Sequence, residues 1–107
     1  MSTSQATMDF LLDQLSALSE ISARKMLGEY CLYLAHKPVA FVCDDQLYLK
    51  PTQAGRAMLH PAIEGLPYPG AKPYLLITAD RWEDRDWLCR LIEVTDNELP
   101  LSKKKKA

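Results

Sequence analysis

Three cysteines and two histidines are the residues of this chain with the most chemical range: Cys31, Cys43, Cys89, His36 and His60. A structural zinc site needs four converging thiolate or imidazole ligands, usually in close-spaced pairs. Here there is no C-x-x-C, no H-x-x-H and no second cysteine pair, so no metal ligands are assigned. Three cysteines cannot close a disulfide framework within one chain, and all three lie in apolar stretches, where a reduced thiol packs as a small hydrophobe. That pattern fits a reducing compartment and leads to a cytoplasmic expectation. A cysteine nucleophile needs an activating base. Cys31 sits in an apolar strand pattern, and its nearest imidazole in sequence, His36, falls in a turn. Burial raises a thiol pKa and silences it, so no catalytic residue is assigned.

Other chemistries are equally thin. The four glycines, Gly28, Gly55, Gly65 and Gly70, are too dispersed for a phosphate-binding loop. Gly28 reads instead as a bulge or a close backbone approach inside a strand. Lys25 and Glu29 are expected on one strand face as a surface pair, of small energetic weight. No cofactor is implied.

Charge narrows the partner classes. The formal net charge is -1, but four of the thirteen basic residues are Lys103 to Lys106; without them nine basic face fourteen acidic residues, or -5. An acidic body repels phosphate backbones, so direct nucleic-acid binding by it is not expected. The tail alone offers about four sequence-blind, salt-sensitive phosphate contacts. The first ten residues, MSTSQATMDF, lack the basic start and apolar run of a signal peptide. No apolar run approaches the ~20 residues of a membrane span.

The elements that must position these residues are legible by period. Residues 1–7 are polar and are read as a flexible lead-in. Met8, Leu11, Leu12, Leu15 and Leu18 make one stripe of a helix, with Thr7 as its N-cap and Asp9, Asp13 and Gln14 on the polar side. RKMLGEYCLYL, PVAFVCD and QLYLK read as three antiparallel strands, turning at Ala35-His36-Lys37 and Asp44-Asp45. In the third, Leu47 and Leu49 face one way and Gln46, Tyr48 and Lys50 the other. The first two are apolar on both faces. A helix layer covers one face, and the other is expected to need a second cover, which a partner subunit would supply. Thr52 caps a short helix to Leu59, stopped at His60-Pro61. Residues 60–73 are a loop, Tyr74 to Thr78 a strand, and Asp80-x-x-Glu83 a capping box for a last helix carrying Trp87, Leu88, Leu91, Ile92 and Thr95. The body spans residues 8–98, and 99–107 form a lysine-rich tail. Helices on one side of an antiparallel sheet define an α+β, two-layer fold.

Three ordered segments carry a family resemblance. Arg24–Leu34 (RKMLGEYCLYL), Ala40–Thr52 (AFVCDDQLYLKPT) and Pro67–Ile77 (PYPGAKPYLLI) resemble the TfoX/Sxy N-terminal domain. The chain departs from the common pattern at Leu27, at Cys31 and at the first turn. The resemblance implies an α-β(3)-α-β(2)-α order, with a secretion-chaperone-like two-layer fold that commonly dimerises. It also implies a relation to regulators of natural competence, which act at promoters with the catabolite-activator protein. The expected function is a non-enzymatic regulatory module working as a homodimer through protein contacts, with transcription machinery among its partners. A small ligand-binding protein or enzyme is the alternative, and weak nucleic-acid binding by the lysine tail a third. The candidate interaction surface is Arg24, Lys25, Glu29, Tyr48 and Lys50.

Overall fold

The structure, a computed structural model, describes residues 3–26, 28–59 and 61–100. One six-stranded antiparallel sheet carries helices on one face, the expected α+β layout. In chain order the elements are α1 (Gln5–Gln14), β1 (Ile21–Met26), β2 (Glu29–Leu34), β3 (Lys37–Cys43), β4 (Gln46–Leu49), α2 (Gln53–Ala57), β5 (Glu64–Gly65), β6 (Tyr74–Ile77), a 3-10 turn (Ala79–Glu83) and α3 (Arg85–Glu98). The sheet runs β1-β2-β3-β4-β6-β5.

The segment read as one long first strand is two. Gly28, at φ +85, reverses the chain so that Met26 pairs with Glu29 and Ile21 with Leu34. Glycine takes positive φ without a Cβ clash, so its role is a hairpin turn and not a bulge. Alternation cannot reveal such a turn when both arms share the same β-prone residues. Asp44 and Asp45 form the expected second turn, both at positive φ, the combination of a two-residue type I′ hairpin. A bulge at Val39 shifts the β2–β3 register between Leu32 and Tyr33. It brings Val39 into the core beside Ala40, while Phe41 stays on the opposite face.

The inner face buries Leu32, Ala40, Val42, Leu47, Leu49, Leu75 and Ile77 against Met8 and Leu11 of α1 and Leu88, Leu91 and Ile92 of α3. Thr52 caps α2 as expected, accepting from the Gly55 N–H at 2.9 Å. Two other caps differ. Ser4, not Thr7, caps α1, accepting from the Thr7 N–H at 3.3 Å, so residues 4–7 belong to the helix and its cap. Asp84, not Asp80, caps α3, accepting from Trp87 N–H at 3.1 Å. The 80–83 segment is held in a separate turn, where buried Trp82 donates its indole N–H to Ile77 O at 2.9 Å. Gln14, expected on the polar side of α1, is buried, and its amide donates to Trp82 O at 2.7 Å. The second set holds the two strands that the resemblance implies, and the short one is Glu64–Gly65. His60 and the lysines from Lys103 to Lys106 lie outside the described residues.

Candidate functional site

The outer sheet face carries the row Arg24–Cys31–Phe41–Tyr48–Leu76, one residue from each of five adjacent strands. Part of the second cover that this face is expected to need comes from the chain itself. Gly65 lies so close over Tyr48 that a Cβ there would sit 3.0 Å from the ring. Tyr68 meets Phe41 edge-on at 6.5 Å, and Tyr74 lies 5.5 Å from Phe41. Tyr48, expected on an exposed strand face, is therefore only 9% exposed. Cys31 and Cys43 are buried on the same face.

This cover is incomplete. It leaves a groove between the β1–β2 hairpin and the 66–69 loop, about 440 Å³, walled by Met26, Phe41, Pro67 and Tyr68 with Cys43 and Glu29. An adjoining recess of about 460 Å³ shares Glu29, Cys43, Pro67 and Tyr68 and adds Asp44, Tyr48 and Leu66. Met26, Leu66 and Tyr68 are 43%, 55% and 53% exposed. They are three of the five exposed large hydrophobic residues among those described.

The five candidate residues are placed unequally. Glu29 and Tyr48 line the recess. Arg24 is exposed on the same face, its guanidinium 5.6 Å from the Tyr33 ring centroid. Lys50 is half-buried on that face. Lys25 pairs with Tyr30, on the opposite face from Glu29, so the expected Lys25–Glu29 pair does not form. Glu29 has a structural task that spacing did not disclose. Its Oε1 accepts from the Thr3 hydroxyl at 2.7 Å and from the Asp44 N–H at 3.0 Å. A side-chain link across 26 residues leaves no local sequence signature.

The thiols are electrostatically quiet. Burial pushes Cys43 up to about 11, helped by the neighbouring Glu29 carboxylate, the Cys31 thiol and the Asp44 carboxylate. Cys31 is also raised by burial, and the Tyr33 hydroxyl, Lys50 and Arg24 offset only part of this. Cys89, on α3, is raised by burial too and donates to Gln14 O at 3.4 Å. Arg24 and Cys31 are cross-strand partners on the outer face, while Tyr30 lines the groove beside Met26 and Glu29. Among the described residues, no group of three His, Cys, Asp or Glu side chains is placed to hold a metal ion. No helix among them is long and apolar enough to cross a membrane.

The architecture is that of a small α+β domain whose distinctive surface is a half-covered sheet face. The chain belongs to the TfoX N-terminal domain family, whose model matches residues 13–96. It is also similar to an uncharacterized 12.7 kDa protein in the trpE 5′ region of Spirochaeta aurantia, 38% identical over 107 residues, all of this chain and 92% of the other.

Proposed function

We propose that this protein is a non-enzymatic, cytoplasmic interaction module that acts in regulation by docking a partner protein on the groove of its outer sheet face. One observation carries the reading: Met26, Leu66 and Tyr68 gather around the groove and its adjoining recess instead of scattering over the surface. Scattered exposed hydrophobics are ordinary, whereas an apolar cluster with a polar rim marks an interaction site. The raised pKa of Cys43 on the groove floor argues against nucleophilic work there. Family membership gives the regulatory direction, and a transcription-related role rests on that analogy alone.

The test is capture of partners from host lysate by the full chain, against Leu66→Ser and Met26→Ser. Both side chains are exposed, so folding should survive. A stoichiometric partner lost from both variants supports the groove. A partner set unchanged in both defeats it.

Self-association is a second reading, and β1 favours it. This six-residue strand ends the sheet, so its outer edge faces no other strand. The Ala35 N–H bonds Glu20 O at 2.9 Å. By alternation, the backbone groups of Ala23 and Lys25 then point outward. An edge of this length is a template for strand addition. Light scattering should report a dimer for the native chain and a monomer for Ala23→Pro, which removes an outward N–H and no ladder bond. A native monomer, or a dimer that tolerates the proline, rejects the edge.

A further inference from the structure

Charge separates this groove from an ordinary apolar patch. Among the described residues, the only charged side chains lining it and its adjoining recess are Glu29 and Asp44. Among the described residues, no lysine or arginine lines the groove or the recess. Arg24 is turned onto Tyr33, and Lys25 is on the other sheet face. The tyrosine on the recess floor feels the same field: Tyr48 is raised by burial first, then by Cys43 and Asp44. An acidic segment is repelled here, and a neutral one makes no use of the two carboxylates. A long aliphatic side chain ending in a cation uses the whole surface. Its methylenes pack on apolar wall while its head stays at the wet, acidic rim, within reach of two aromatic rings.

We infer that the groove receives an arginine or lysine side chain from an extended segment of a partner protein, its stem against Met26, Pro67 and Tyr68 and its cation beside Glu29 and Asp44. This rests on the groove being the interaction surface, and it names the chemistry that surface selects.

The probes are fluorescein-labelled pentapeptides in which arginine, norleucine or glutamate is flanked by leucine and glycine on each side, titrated against the full chain by anisotropy. The arginine peptide should bind about tenfold more tightly than the norleucine one, the size of a moderate cation–π and charge contribution. That preference should shrink in about 1 M salt, where the screening length falls to about 3 Å. Asp44→Asn should reduce it as well, because asparagine tolerates the positive φ of this turn. Leu66→Ser should instead weaken the arginine and norleucine peptides alike. Equal binding of these two peptides, or a preference that survives Asp44→Asn, overturns the cationic occupant while leaving the groove to the Leu66→Ser comparison. An arginine peptide that does not bind at all also overturns it, and partner capture then judges the groove separately.

Discussion

Thr3 and Glu29 are joined by a 2.7 Å hydrogen bond from hydroxyl to carboxylate, which ties the segment before α1 to the start of β2. The same Thr3 oxygen accepts from the Asp45 N–H at 3.2 Å, and the same Glu29 oxygen from the Asp44 N–H at 3.0 Å. One clasp thus holds the N-terminal segment, β2 and the β3–β4 turn. Glu29→Ala should cost about 1.5–3 kcal/mol, the range for bonds to a charged group, and Glu29→Gln less, because an amide oxygen can still accept. Urea unfolding of the three proteins checks the order, and Ala no worse than Gln contradicts it.

Acid should loosen the same corner and the α2–α3 junction. Asp45 accepts from Ser4 N–H and the Thr7 hydroxyl, and Glu98 from the N–H groups of Ala54 and Gln53. These bonds hold both carboxyls below their usual range. Their folded pKa values are depressed, so the stability they give is complete above the unfolded values of about 3.9 and 4.3. It is lost as pH falls through the lower folded values. Asp45→Asn and Glu98→Gln should each flatten the loss of stability between about pH 5 and pH 2. Unfolding midpoints measured across that range would expose an unchanged slope.

All three thiols should resist alkylation in the folded protein at pH 8. With a pKa of about 11, Cys43 holds only about one thiolate per thousand thiols there. Mass spectrometry after iodoacetamide should find no adduct in buffer and three in about 6 M urea. Native labelling of Cys43 at the rate of a free thiol would mean that the 66–69 loop does not cover it.

Gly55→Ala should destabilise, against helix propensity. An alanine here gains roughly 0.4–1 kcal/mol from the unfolded chain. Its Cβ, however, would sit 2.8 Å from Thr52 Oγ1 and 3.1 Å from Thr95 Oγ1. Neither oxygen is free to retreat, since Thr52 caps α2 and Thr95 donates to Leu91 O at 2.8 Å. Overpacking costs about 1–3 kcal/mol, so the net sign is unfavourable. A raised melting temperature would show that the two helices can part at no cost.

Periodicity made the helical stripe of Met8 and Leu11, the core-facing Leu47 and Leu49 of β4, the Asp44–Asp45 turn and the Thr52 cap readable, because each depends on neighbours within four residues. What escaped depends on distant ones. The hairpin at Gly28 hides in an unbroken run of β-prone residues. The Asp-x-x-Glu at 80–83 obeys the capping pattern, but the Trp82–Ile77 bond confines it to its own turn and hands the cap to Asp84. The groove escaped because its roof, Pro67 and Tyr68, meets its floor, Phe41 and Cys43, only through the fold. Glu29 and Tyr48 were found by residue type, and Met26 and Leu66 were not, since an apolar residue signals its exposure only by breaking a pattern that loops do not have.

Lys37 donates to Asp96 O at 2.7 Å and to Leu99 O at 2.9 Å, with Asp96 Oδ1 at 3.5 Å. This fastens the end of α3 beside the first residue of β3, about 20 Å along the strand from Cys43. A dye, an affinity handle or a second domain joined after the final helix is thereby launched from the pole remote from the groove. A bead or a neighbouring domain joined directly after α3 leaves the Met26–Leu66 flank facing outward.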